Sequence, residues 1–287
     1  MADLYFKKMA LIGVGLIGGS LALDCREKRL VGTVSGFGRS ESNLQRAIAL
    51  GIIDDFSRNI SSVVRGADLV VLAVPVGAYR ETVATFVNDL DPGAILTDVG
   101  SVKGKVVEEL MPILGARKFV PAHPIAGKEK SGAGAATTGL FRGARCVLTP
   151  ATSTSPDALE KVRRLWEEVG AKVSLLSPRE HDEILGLVSH LPHLVAYALV
   201  NTVLQASEKN REIIGFSGGG FRDFTRIGAS SPEMWRDIFM ANRDVILEQI
   251  GDYERVLGGL KQAIRENNGD ELLTQFERSR SWKERIH

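Results

Sequence analysis

The chain has 287 residues, which at roughly 100–200 per domain means one large domain or two ordinary ones. A hydrophobic share of 44% excludes a disordered chain, and 36 basic against 35 acidic side chains leave no basic excess for nucleic acid. No unbroken apolar run reaches the ~18 residues of a membrane span, no signal-peptide pattern precedes the first strand-like run, and Cys25 and Cys146 are too few for a disulfide framework. The expectation is a cytoplasmic globular protein with neither a membrane nor a nucleic-acid partner.

Up to residue 177, short apolar runs alternate with helical stretches. Strands are predicted at 8–13, 32–37, 68–74, 94–98, 118–122, 146–149 and 172–176, most of them apolar on both faces, as in a parallel sheet covered on both sides. Helical segments such as 17–27, 42–50 and 156–169 lie between them. Alternation of this kind predicts an α/β fold with a doubly wound, mostly parallel sheet. After Ser177 strand signals stop. Pro178 sits where a helix would start, 179–207 reads as one long helix interrupted by Pro192, Ser231-Pro232-Glu233 opens another, and 242–267 is a third before a final helix. The predicted division is therefore 1–177, a dinucleotide-binding domain, and 178–287, an all-helical one.

The dinucleotide reading rests on Gly13-Val14-Gly15-Leu16-Ile17-Gly18. This G-x-G-x-x-G follows an apolar strand and opens a helix, the context that gives the pattern its meaning. Gly13 serves the tight turn, Gly15 lets backbone approach a pyrophosphate, Gly18 permits close helix–strand packing, and Leu16 and Ile17 open the helix whose N–H groups bind phosphate. An NAD site normally carries an acid at the end of the second strand, where this chain has Gly38-Arg39-Ser40. A guanidinium beside hydroxyls suits a 2′-phosphate, so NADP is favoured over NAD.

Three further clusters follow strand-like runs, where such sheets place their ligand crevice: Val74-Pro75, which falls to the cofactor, Asp98–Lys103, and His123-Pro124-Ile125-Ala126-Gly127. His123 is the acid–base candidate, since only histidine titrates unperturbed near neutrality. In the helical half, His190 and His193 are spaced to share a helix face, but no acidic or cysteine ligand accompanies them and no metal is expected. The glycine triplet Gly218-Gly219-Gly220 suggests close approach by a ligand or second chain, with Arg222 or Arg226 as the cation for an anionic small-molecule substrate. Leu185, Leu187, Val188, Leu191, Leu194, Val195, Leu199 and Val203 cover more than one side of their helix, which predicts a homodimer through this half.

Taken together, GVGLIGGS, DVGSVK, HPIAG, SHLPH, GGGFRDFTRI and SPEMWRDI, in this order over roughly residues 8–242, resemble the prephenate/arogenate dehydrogenase family of tyrosine biosynthesis. The resemblance implies a Rossmann-like N-terminal domain, a helical dimerisation domain, and oxidative decarboxylation of a cyclohexadienol with hydride transfer to NAD(P). It implies His123 as the acceptor of the substrate hydroxyl's proton and Ser101 as a second hydrogen-bonding partner of that hydroxyl. Arg226 would pair with the ring carboxylate, His193 would bind the side-chain end, and Gly219, Trp235 and His181 would line the pocket. Two departures are visible: Gly38-Arg39 in place of the acid, and Lys128 where a small residue would follow HPIAG. The alternatives are a β-hydroxyacid dehydrogenase and a non-catalytic dinucleotide-sensing dimer.

Overall fold

The computed structural model describes residues 5–128 and 130–285. In chain order the first elements are β1 (Phe6–Ile12), α1 (Leu16–Glu27), β2 (Val31–Phe37), α2 (Glu41–Ala49), β3 (Asp55–Phe56), α3 (Ile60–Val64), β4 (Leu69–Leu72), α4 (Tyr79–Phe86), β5 (Ile95–Asp98), α5 (Gly104–Leu114) and β6 (Lys118–Val120). All six strands are parallel, in the order β3-β2-β1-β4-β5-β6. Met9, Ala10, Leu11 and Ile12 are wholly buried because successive side chains of β1 enter two different cores, Met9 and Leu11 on one face, Ala10 and Ile12 on the other. The strand order reverses between β1 and β4, so the carboxyl ends of these two strands flank the crevice where such a sheet binds its ligand.

The single predicted strand at 118–122 is two strands. Pro121, which has no N–H to give a ladder, separates β6 from β7 (Ala122–Ile125). β7 leaves the large sheet and runs antiparallel to β8 (Arg145–Leu148), which is parallel to β9 (Lys172–Leu175), with α6 (Pro156–Glu168) between them. His123 therefore lies within a strand of a second, three-stranded sheet, opposite Val147, rather than in a loop after the first.

Ser177 opens α7 (Pro178–Leu185) with a full capping box: its hydroxyl accepts from Glu180 N–H, and the Glu180 carboxylate accepts from Ser177 N–H at 2.8 Å. The predicted interruption at Pro192 does not occur. A π-helical turn at Gly186–His190 widens the helix ahead of α8 (Leu191–Lys209), and Pro192 falls in the first turn of α8, where a missing N–H is tolerated. α9 (Gly219–Thr225) and α10 (Pro232–Ala241) follow, the latter capped by Ser231. These helices belong to the compact unit that ends at Asn242, so the composition break at residue 177 lies inside it.

By length and composition the helical run Pro178–Lys209 is apolar enough to cross a membrane. A count of unbroken apolar residues misses this because polar side chains interrupt the run. Three of them, His181, Asp182 and His190, are buried in the network described below. A second unit, from Arg243, consists of α11 (Arg243–Arg265) and α12 (Gly269–Arg285), joined through Asn267 at φ +53°. Val256, Leu257, Ile264, Leu273, Phe276 and Trp282 are exposed on it.

Candidate active site

The glycine motif shapes the crevice at the β1–α1 turn. Gly13 has φ +101°, and a Cβ there would lie 2.5 Å from the Ala73 carbonyl oxygen. A Cβ on Gly18 would lie 2.7 Å from the Gly13 carbonyl, so helix and strand pack as closely as backbone allows. Over Gly15 the space is open, and this N-cap residue of α1 offers no side-chain cap, which leaves the first N–H groups of α1 available to an anion. A crevice of about 610 Å³ is lined by Gly13, Gly15, Arg39, Ser40, Val74 and Pro75, all of them read from sequence as cofactor residues. Leu16, Ile17 and Gly18 stand in the first turn of α1 and do not line it. An open backbone cradle at a helix N-terminus fits a dinucleotide pyrophosphate.

Arg39 is exposed beside this crevice, and Gly38 leaves no acid at the end of β2. The Ser40 hydroxyl caps α2 by accepting from Asn43 N–H, and Asn43 in turn donates to the Val14 carbonyl at 2.8 Å. From α10, Glu233, Arg236 and Asp237 line the same wall, which no motif signalled.

His123 is held by what surrounds it. The side chains of Asp98 and Lys103 are both fully inaccessible and form an ion pair. Asp98 also accepts from the N–H groups of Gly100 (2.8 Å) and Ala122 (3.0 Å), while Lys103 Nζ donates to the Ala122 carbonyl at 2.8 Å. A carboxylate and an ammonium thus grip the residue before His123 from both backbone groups, and the extra hydrogen bonds satisfy an ion pair that would otherwise be costly to bury. His123 Nδ1 lies 2.8 Å from His181 Nε2, and His181 Nδ1 lies 2.8 Å from Asp182 Oδ1. Burial, helped by the nearby His181 and Lys103, holds the His123 imidazole well below the usual histidine range. It is therefore neutral at pH 7, as a proton acceptor must be.

His181, expected to line the pocket, does not. It is completely buried behind His123, with both ring nitrogens engaged by protein groups. Ser101 sits between β5 and α5 and is partly accessible. Its backbone meets His190, whose Nδ1 lies 3.2 Å from the Asn242 amide nitrogen; because that nitrogen donates, His190 carries its own proton on Nε2. Burial lowers its pKa to about 4.

A second cleft, of about 240 Å³, is lined by Gly127, Lys128, His193, Arg226, Met234 and Trp235, among others. The His193 ring stacks on Trp235 at 3.8 Å between centroids, and its Nδ1 donates to the Ser189 carbonyl at 2.8 Å, leaving Nε2 as the free acceptor. Three of the predicted substrate residues, Arg226, His193 and Trp235, thus meet in one place. Gly219 does not join them: it is exposed at the start of α9, with nothing within 4 Å of the position a Cβ would occupy. His190 and His193 bond different partners, so their spacing does not converge on a common point. Sequence reasoning missed Asp182 and Asn242, which belong to no motif, and did not separate Asp98 and Lys103 from the run that contains them.

Two family models match, the prephenate dehydrogenase nucleotide-binding domain over residues 21–175 and the prephenate dehydrogenase dimerization domain over 177–278. The chain belongs to the prephenate dehydrogenase family. It is 39% identical to a cyclohexadienyl dehydrogenase of Zymomonas mobilis over 96% of this chain and 94% of that one. It is 35% identical to a Bacillus subtilis prephenate dehydrogenase over 96% of this chain and 74% of the relative. Among solved structures, prephenate dehydrogenase from A. aeolicus in complex with hydroxyphenyl propionate and NAD+ superposes with a TM-score of 0.94 at 38% identity, covering 99% of this chain and all of that one. Neither the β-hydroxyacid nor the sensing alternative finds support among these relatives.

Proposed function

We propose that this member of the family oxidatively decarboxylates prephenate in preference to arogenate, in tyrosine biosynthesis, with NADP as its favoured hydride acceptor, and that it does so in the cytoplasm as a homodimer. The observation that carries the reading is the neutral, nearly buried His123, clamped through Ala122 by Asp98 and Lys103 and backed by His181, in a chain that also gathers Arg226, His193 and Trp235 in one cleft. When bound, the nicotinamide supplies the hydride acceptor. Gly13, Gly15 and the first turn of α1 (Leu16, Ile17, Gly18) would hold its pyrophosphate, Val74 and Pro75 would flank it, and Arg39 with Ser40 would take a 2′-phosphate.

The chain's own part in the reaction is orientation and proton handling. Arg226 binds the ring carboxylate through both oxygens and so fixes the face that the ring presents. Trp235 and His193 bound the ring and its side-chain end. His123 Nε2 accepts the C4 hydroxyl proton as C4 loses its hydride, with Ser101 as the hydroxyl's second partner. Loss of CO₂ and aromatisation leave a phenolate oxygen, to which His123 returns the proton, so no net proton is released. Selectivity follows from charge. The keto-acid side chain of prephenate is an anion alone, while that of arogenate carries an ammonium, which the Lys128 cation of the cleft would repel.

Purified protein should reduce NADP faster with prephenate than with arogenate, in a side-by-side assay of both substrates with both cofactors. Inactivity in all four combinations would refute the reading. Arg39→Ala should cost NADP roughly ten- to hundredfold in affinity, the equivalent of one charge-assisted hydrogen bond, and leave NAD nearly unaffected. Gly38→Asp should swing the preference to NAD, and a Cβ there meets nothing closer than Leu44 at 3.4 Å. Equal penalties on both cofactors would make Arg39 an ordinary surface residue. The dimer is supported by Ile184, Leu187, Val188 and Leu204, apolar and exposed on the α7–α8 run of a single chain. Sedimentation should give twice the chain mass at micromolar concentration; a stable monomer would refute it.

A further inference from the structure

We propose that His181, held by Asp182, is a positioning residue that fixes the tautomer of His123 and so keeps the proton-accepting nitrogen bare. The inference rests on the reading of His123 as the proton acceptor. His181 and Asp182 are both buried, with the two ring nitrogens of His181 and both carboxylate oxygens of Asp182 already bonded within the protein, so neither offers a polar atom to substrate or cofactor.

The assignment follows from the direction of each hydrogen bond. A carboxylate only accepts, so the 2.8 Å contact between Asp182 Oδ1 and His181 Nδ1 places a proton on that nitrogen. Burial holds His181 below the usual histidine range, so it is neutral and its Nε2 carries a lone pair. That lone pair faces His123 Nδ1 at 2.8 Å and therefore requires a proton there. His123 is neutral as well, which leaves its Nε2 unprotonated. An unconstrained imidazole has no such obligation, and protonation at Nε2 would turn the acceptor into a donor.

The carboxylate that starts this chain is itself fixed. Asp182 Oδ1 accepts from Lys103 N–H at 2.8 Å and Oδ2 from Gly104 N–H at 2.7 Å, at the opening of α5, where the helix dipole favours an anion. Gly104 gives the room, since a Cβ on it would stand 2.8 Å from Asp182 Oδ2. Burying a carboxylate and two imidazoles costs stability, which the hydrogen bonds among them and to the start of α5 offset. When His123 accepts the hydroxyl proton and becomes a cation, the Asp182 charge lies one ring away, and the proton leaves again with the product.

Two substitutions separate positioning from packing. His181→Gln places an amide oxygen where Nε2 stood and still accepts from His123 Nδ1–H, whereas His181→Leu fills the space and accepts nothing. For His181→Leu the expected result is a fall in kcat of about 10²- to 10⁴-fold, the worth of a general base, because the wrong tautomer removes the proton acceptor, with KM for substrate and cofactor within about threefold. His181→Gln should stay within about tenfold of wild type. The direct readout is ¹⁵N NMR of the histidine side chains at pH 7.5 without substrate, which needs no turnover. Wild type and His181→Gln should show His123 protonated on Nδ1, and His181→Leu should show it on Nε2. A wild-type His123 protonated on Nε2 overturns the proposal without any variant, as do equal kcat losses in both variants or a loss confined to KM. The expected tautomers in a protein inactive on both substrates would sink the proposed reaction and uphold the positioning role.

Discussion

His123→Ala is expected to lower kcat by about two orders of magnitude or more, the usual worth of a general base, while the Kd for cofactor stays within a few-fold. The His123 side chain does not line the dinucleotide crevice, so its removal leaves that surface intact. The loss should appear in kcat and kcat/KM together, because proton transfer belongs to the transition state. The pH profile carries the same signature. Burial, His181 and Lys103 depress the folded pKa of His123, so the imidazole remains neutral as pH falls to 6.5 and is protonated only below it. The wild-type acid limb should therefore lie below pH 6.5, and it should vanish from the residual rate of the variant. Near-normal turnover in His123→Ala would remove this residue from the chemistry, and an acid limb above pH 6.5 would show that the ring is not as buried in solution as in the fold.

Arg226→Ala should act on binding. The ring carboxylate is charged before and during reaction, so its partner stabilises ground and transition states alike, and the penalty falls mainly on KM. Arg226 is exposed in the single chain, so the penalty is that of one charge-assisted hydrogen-bonded pair, about 1.5–3 kcal/mol, or roughly 10- to 150-fold. Arg222 is the internal control, since it lies on α9 and is exposed outside the cleft. A larger KM increase for Arg222→Ala than for Arg226→Ala would overturn the assignment.

Much of this was legible in the residues. The glycine turn at 13–18, the absence of an acid at Gly38 and the long apolar strands are local signals, because backbone conformation and burial on both faces constrain residue type position by position. The strand predicted through Pro121 and the interruption predicted at Pro192 differ from the structure for a shared reason. A proline removes one hydrogen bond, but whether the chain turns into another sheet or passes through a widened helical turn depends on what waits on either side. Gly219 was drawn in by its glycine triplet, and the single chain leaves it in the open.

The sequence by itself determined the α/β architecture, the dinucleotide crevice and the identity of His123 as the candidate base, since each is written in a short run with one stereochemical meaning. Only the tertiary structure decided that His181 stands behind His123 rather than in the pocket, that its α7 neighbour Asp182 bonds it while anchored to the start of α5, and that Lys103 and Asp98 clamp the backbone at Ala122. These partners lie 19 to 79 residues apart along the chain, apart from the adjacent His181–Asp182 pair. Hydrogen-bond direction, and with it the nitrogen that carries the proton, is a property of how distant segments meet, which no local pattern of residue types records.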